Sequence, residues 1–280
     1  MMSKQPASKR PRPMRKPVSR TPAWVTPVAV VAAIALVVGG FLLIRWYTTP
    51  QALAPLKPDA AQLVVNSLTA LPAAELDAIG QGSANNLLKP VSGTALTGPS
   101  GKPLVFYFGA EYCPYCAAER WAIIVALSRF GTFSGLKTTS SSSSDIYPNT
   151  PTFTFHGSTF TSQYIDFQAV ETTDRNQNAL ETPTGSQQAL VNQYDTGGSI
   201  PFVDFGNRYV FAGATYLPDV LAGMSWQAVA DALAQPDSTQ AKAVLGSANL
   251  VTAAVCRLTG DQPSSVCTSS SIQAIEKKLG

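Results

Sequence analysis

The stretch Leu104-Val105-Phe106-Tyr107-Phe108 runs without a break into Gly109-Ala110-Glu111-Tyr112-Cys113-Pro114-Tyr115-Cys116-Ala117-Ala118, and this passage decides the fold. The first five residues are an apolar run of strand length. After them a helix is expected from near Cys113 to about Phe130, ended by the stop signals Gly131 and Gly135. Two cysteines with two residues between them, at a strand-to-helix junction, are the spacing of a redox pair. The first N–H groups of a helix have no intrahelical partner, and its N-terminus carries a partial positive charge. Both favour a thiolate over a thiol, which is the form that attacks a disulfide. Cys113 is therefore the candidate exposed nucleophile, and Cys116, one turn in, the candidate resolving sulfur. Pro114 at the first helical position loses no hydrogen bond.

Outward from this point the chain divides by charge. Its 280 residues are 45% hydrophobic and only 13% charged. Residues 1–20 hold seven bases and no acid, whereas residues 46–280 hold twelve bases against seventeen acids, a net of −5. A mildly acidic body offers no nucleic-acid surface. Residues 1–22, basic and with five prolines, read as a disordered cytoplasmic tail. Residues 23–44 carry no charge and are long enough to span a bilayer as a helix, with Trp24 and Trp46-Tyr47 at its ends. Seven bases before the span, against Arg45 just after it, place the N-terminus in the cytoplasm and the rest outside. The rival is a cleaved signal peptide, for which Ala52-Leu53-Ala54 offers a site, but its apolar core would be shorter. The expected location is the cell membrane, single-pass, with the lipid bilayer met through residues 23–44.

Residues 45–60 read as a linker and residues 61–280 as one extracytoplasmic domain, with a core over 102–235 and a helical extension over 236–280. Helical spacing over 61–79 is broken by Pro72. Leu136 to Ser144 reads as a strand running into a loop. Thr152–Phe155 and Tyr164–Val170 alternate in strand fashion and suggest two strands separated by His156-Gly157-Ser158. A helix capped by Thr184 is expected over 184–194. Pro201–Phe205 and Arg208–Phe211, around Gly206-Asn207, read as a hairpin with a two-residue turn. Helices are expected over 225–234, 237–259 and 269–279. The whole is a mixed α/β arrangement with a central sheet.

The other two cysteines, Cys256 and Cys267, flank Pro263 near helix ends. They read as a structural disulfide, contributing roughly 2–3 kcal/mol in the chain-entropy model; a second redox pair relaying electrons is the alternative. The lone histidine, His156, sits in an apparent turn, and the cysteine spacing does not suit zinc, so neither a metal nor a cofactor is implied. Arg120 lies at helical spacing from Cys116, either as a charge that lowers a thiolate pKa or as a surface partner of Glu119. Trp121, Ile124, Val125 and Ser128 are expected on the face packed against the sheet.

Phe106 to Cys116 resembles the active-site stretch of the thioredoxin superfamily, and Pro114-Tyr115 is like the dipeptide of glutaredoxins. Ile200-Pro201 before the strand-turn-strand of 202–211 resembles that superfamily's cis-proline loop. The resemblance implies a thioredoxin-like fold with an insertion and extra C-terminal helices. It also implies a cis Pro201, and a substrate segment met by Ile200, Pro201 and Tyr115. Trp121–Gly131, Leu136–Phe155 and Val255–Cys267 are similar to the family named domain of unknown function 929, whose name supplies no activity. Two departures stand out. Tyr107 occupies the position of the superfamily's buried acid, with Glu111 expected on the surface. And 85 positions separate Cys116 from Pro201, a surplus assigned to the 152–170 hairpin and the 184–194 helix. Together these features imply a membrane-anchored thiol–disulfide oxidoreductase acting on extracytoplasmic thiols or disulfides, with a membrane electron-transfer partner allowed for. The alternatives are a non-catalytic tethered binding or assembly module with structural disulfides, and a Cu(I) carrier.

Overall fold

Each strand of the central sheet feeds both of its faces, because alternate side chains point to opposite sides. In the computed structural model, which describes residues 25–48 and 53–279, β2 (Leu104–Gly109) shows this directly. Val105 and Tyr107 enter the larger core, while Leu104 and Phe106 enter a smaller one with Val170, Val191, Phe202 and Val210. A strand buried on both faces must be apolar throughout, which is why 104–108 carries no polar alternation.

The elements follow in order. The first, α1 (Val25–Thr48), is a unit by itself, long and apolar enough to cross a membrane, a property shared by anchors and signal sequences. The basic tail, residues 23–24 and residues 49–52 of the linker lie outside the described residues. The second unit begins with α2 (Pro58–Thr69) and α3 (Ala73–Ile79), separated at Pro72 as expected, although α2 starts inside the stretch read as linker. There follow β1 (Lys89–Pro90), β2, α4 (Pro114–Leu127), β3 (Gly131–Ser134), β4 (Lys137–Ser140), β5 (Pro151–Thr154), β6 (Thr159–Ser162) and β7 (Asp166–Glu171). Then come α5 (Gly185–Tyr194), β8 (Phe202–Phe205), β9 (Tyr209–Ala212) and a 3-10 turn at Pro218–Leu221. The chain ends with α6 (Trp226–Leu233), α7 (Thr239–Thr259), α8 (Ser264–Cys267) and α9 (Ser270–Leu279).

The main sheet has the order β1-β9-β8-β2-β7, and β2 is parallel to β7 but antiparallel to β8. It is a mixed sheet with helices on both faces, in keeping with a thioredoxin-like α/β arrangement. On the larger-core face lie α4 and α7; on the other lies α5, through Val191. Helix α7 is as long as a membrane span, but it is mostly buried within this domain and is a core helix. Its Gly246 passes so close to the backbone of residues 81–82 that a Cβ there would overlap the Gln81 carbonyl oxygen.

Two readings of the strands need correction. The 152–170 region is not a hairpin: β5 pairs with β4, β7 joins the main sheet beside β2, and a third strand between them, β6, pairs with β3. The surplus before Pro201 is thus no single inserted hairpin, since β7 belongs to the core sheet. Alternation marks a strand but does not name its partner, and Gly157 alone does not make a hairpin turn. The 202–211 hairpin closes at Phe205 opposite Tyr209, leaving three turn residues rather than two. Gly206 and Asn207 both take positive φ there, and the Asn207 N–H donates to Asp204 Oδ1 at 2.7 Å.

Beyond the sheet, Cys256 and Cys267 are joined in a disulfide that ties the end of α7 to α8. The α5 start is closed by a capping box, Thr184 accepting from the Gln187 N–H while the Gln187 side chain accepts from the Thr184 N–H. Four side chains seat α4. Trp121 Nε1 donates to the Pro151 carbonyl, and Thr152 Oγ1 donates to the Ala117 carbonyl. Glu119, fully buried, accepts from Ser247 Oγ on α7 and from the Thr215 N–H. Tyr216 Oη donates to the Ala118 carbonyl. The start of α4 is therefore fixed from three directions.

Candidate functional site

Cys113 is the N-cap of α4, with extended backbone, and Pro114 is the first helical residue. The Cys116 N–H donates to Cys113 Sγ at 3.3 Å, and Cys113 Sγ lies 3.7 Å from the carbonyl oxygen of Ile200, as a donor to it. The Ile200–Pro201 peptide is cis. The Pro201 carbonyl accepts from the Gly213 N–H, which fixes the loop against the end of β9. Proline has no N–H, so the loop presents the Ile200 carbonyl, with no adjacent donor from Pro201, to the sulfur.

Both cysteines are free thiols. Cys113 was expected to be exposed, but only 5% of it is accessible, and Cys116 is wholly enclosed. The cover over Cys113 includes the Ile200 loop, which approaches from a distant part of the chain. The two sulfurs differ electrostatically. The Cys116 thiol donates toward Cys113 and lowers its pKa; burial opposes this, and the Cys116 N–H, the Arg120 charge and the Tyr115 N–H reinforce it. Burial pushes the Cys116 thiol well above its usual range, with Cys113 adding to the effect and Arg120 and the Ala110 N–H opposing it.

Around the pair, several side chains stand elsewhere than expected. Arg120 and Glu119 are both fully buried and do not pair with each other. Arg120 forms a bidentate ion pair with Glu171, at the end of β7, with both distances 2.7 Å, and also donates to the Ala110 carbonyl. Burial works against the guanidinium charge, but Glu171, with Tyr107 and Cys116 adding to it, holds Arg120 well above its ordinary pKa. Glu111 is not on the surface: it is 8% accessible and accepts from Thr139 Oγ1. A side chain that follows a core strand so closely remains under the strand's neighbours. Tyr107 is fully buried, and burial raises its hydroxyl pKa well above normal.

The outer rim is made by the 141–150 loop. Ser140, Ser141 and Ser142 are buried, and the Ser142 N–H donates to the Tyr112 carbonyl. Arg175 pins this loop through the Ser140 and Ser141 carbonyls and Asn149 Oδ1. Tyr115, half-buried, meets Tyr147 edge-on at 5.9 Å between ring centroids. Of the residues singled out in the sequence, Cys113, Cys116, Ile200 and Pro201 are brought together, and Tyr115 packs against Tyr147. Glu171 and Tyr147 were not singled out. The signal for Glu171 was available: an acid closing the run Phe167-Gln168-Ala169-Val170 sits where a buried strand ends. Nothing in the sequence marks Tyr147.

His156 Nδ1 lies 2.7 Å from Glu181 Oε1, and Glu181 Oε2 accepts from the Glu171 N–H. Among the described residues, no cluster of three or more His, Cys, Asp or Glu side chains is arranged to hold a metal ion.

No curated protein and no solved structure matches the chain. A family model does match, over residues 90–257, which takes in every strand from Pro90 onward, the cysteine pair, the cis-proline loop and nearly all of α7. That match covers more than half of the sequence, and the chain belongs to the family described as domain of unknown function (DUF929).

Proposed function

We propose that this protein is a membrane-anchored thiol–disulfide oxidoreductase that works through Cys113 and Cys116 on extracytoplasmic protein or small-molecule thiols. The observation that carries the reading is the asymmetry of the two sulfurs. Cys113 caps a helix, receives the Cys116 N–H and has a lowered pKa; Cys116 is enclosed one turn on, with a raised one. A thiolate at a helix N-terminus beside a buried thiol is the arrangement that exchange needs, one sulfur to attack and one to resolve. The Ile200 carbonyl beside Cys113 supports a substrate strand laid along the cis-proline loop, with Tyr115 and Tyr147 as the far wall. Helix α1 serves as the anchor in this reading. Its flanking bases, seven before and Arg45 after, favour a cytoplasmic N-terminus. A membrane electron-transfer partner would then recycle the pair.

The direct test is a redox titration of the full chain in glutathione buffers. The Cys113–Cys116 pair should interconvert between dithiol and disulfide, while Cys256–Cys267 stays closed. A pair that remains in one state across the whole range refutes the reading. One observation favours a second reading, a non-catalytic tethered module: the small accessibility of Cys113. That module would keep the pair permanently in one state, so the same titration separates the two.

A further inference from the structure

The ground beneath Cys116 holds buried donors without matching acceptors. Tyr107 Oη, on β2, and Arg120 Nη1, on α4, are both fully enclosed, and neither has a hydrogen-bond partner. The Tyr107 hydroxyl and the Arg120 charge both interact electrostatically with Cys116, and the Ala110 N–H acts on the same sulfur. Arg120 is one helical turn beyond Cys116, with its guanidinium carbon 5.9 Å from the centre of the Tyr107 ring. Glu171 holds Arg120 through Nε and Nη2 and does not engage Nη1. Buried donors normally find acceptors. The group here that becomes an acceptor is Cys116, when it loses its proton.

We propose that Tyr107 and Arg120, the latter locked in place by Glu171, are positioning residues that stabilise the Cys116 thiolate during disulfide exchange. The inference rests on the exchange reading given above. Exchange creates that thiolate in either direction. In substrate reduction, the Cys113 thiolate attacks a disulfide R–S–S–R′; a Cys113–S–R bond forms, the S–S bond breaks and R′–S⁻ leaves. Cys116 gives its proton to that departing thiolate, and the Cys116 thiolate attacks Cys113 Sγ. The Cys113–Cys116 bond forms and R–S⁻ is released. The substrate gains two electrons and the dithiol loses them. In the reverse direction a substrate thiolate attacks Cys113, and Cys116 leaves as the thiolate. The same donors therefore act on an attacking sulfur one way and on a leaving sulfur the other.

The ionisable groups around Cys116 are few. On α4 and at its cap they are Arg120 and Cys113, on β2 Tyr107, in the loop between β2 and α4 Tyr112, and on β7 Glu171; Glu111 acts on Glu171 from that same loop. Glu171 balances the Arg120 charge, so the pair leaves little net field at a distance and acts locally. The Tyr107 hydroxyl, with its raised pKa, remains a donor throughout the working range.

The test is the pH profile of one step, in the full chain in detergent micelles. Cys113 is loaded with glutathione at low pH, and release of glutathione by Cys116 is followed after a pH jump. Tyr107→Phe keeps the ring and removes the donor. Arg120→Met combined with Glu171→Gln removes the charge without leaving its partner bare. The paired variant should release glutathione about tenfold more slowly at pH 7, with its midpoint about one pH unit higher; Tyr107→Phe should shift the same way by a smaller amount. Arg120→Lys, which restores the charge, should recover part of the loss. Profiles that superimpose on the wild type overturn the inference while leaving the exchange reading intact. Should the paired variant fail to fold, an unshifted Tyr107→Phe profile is sufficient to overturn it. A wild-type chain that neither takes up nor releases glutathione overturns both.

Discussion

Replacing Cys256 and Cys267 with alanine separates structure from chemistry in this chain. The bond closes a short loop, with a sequence separation of 11 between its ends. In the chain-entropy model a loop of that size restricts the unfolded chain by about 9 cal/mol/K, or about 3 kcal/mol at 25 °C. Both sulfurs are buried, so trimming them to alanine also removes packed volume beneath α7 and makes 3 kcal/mol a central rather than an upper figure. For a domain of this size each kcal/mol moves the melting temperature by about 2–4 °C, which gives a fall of about 6–12 °C. The assay is thermal denaturation of the full chain in detergent, followed by circular dichroism, with urea titration as a check. Glutathione exchange at Cys113 and Cys116 should be unchanged at a temperature where the variant is folded. A loss below about 0.5 kcal/mol would refute the loop-closure reasoning. Loss of exchange in a folded variant would instead make Cys256–Cys267 an electron relay.

Other perturbations follow from single residues. Asp204 has its carboxyl pushed up to about 6 by burial, from an ordinary 3.8, and the Asn207 N–H only partly compensates. The folded state therefore holds the proton more tightly than the unfolded one, so stability falls as pH rises from about 4 to about 6. Above that the ionised group costs up to about 3 kcal/mol. Asp204→Asn should flatten that pH slope and raise stability at pH 8 by about 1–3 kcal/mol in urea denaturation; an unchanged slope contradicts this. Gly246→Ala should lose about 1–3 kcal/mol or more, despite alanine's better helix propensity, because the new methyl meets the Gln81 backbone. A neutral or stabilising result would mean that the 80–83 loop gives way easily. Thr184→Ala removes the α5 cap and should cost about 0.5–2 kcal/mol by the same measurement.

The legible part of the fold was the part written in local pattern. Leu104–Phe108 read as a strand from its apolar run, and Ser225, Thr184 and Pro72 marked element ends where helices do begin or stop. Pairing was less legible. Thr152–Phe155 and Tyr164–Val170 were rightly strands, yet their partners lie far along the chain, and periodicity holds no record of which partner wins. Burial of charge was the least legible. Arg120 and Glu119 are adjacent on a helix and look like surface residues, but each finds its own distant partner, Glu171 on β7 and Ser247 on α7. Leu136 to Ser144 was rightly a strand running into a loop, but composition did not show that the loop is held: the hydrogen bonds from Ser141 to the Tyr147 carbonyl and from Arg175 make its first part the rim. At the site, the Cys113/Cys116 spacing and the Ile200-Pro201 loop were visible in the sequence. The covered state of Cys113 was not, because it depends on how the proline loop and α4 approach one another.

The central claim is that Cys113 exchanges disulfides and Cys116 resolves them. It is tested most directly by trapping with Cys116→Ser in the native membrane. With the resolving sulfur removed, Cys113 should accumulate mixed disulfides that disappear on reduction and are absent from the Cys113→Ser, Cys116→Ser double variant. A Cys116→Ser chain that forms no adducts, together with a wild-type pair that resists the glutathione titration, would contradict the account.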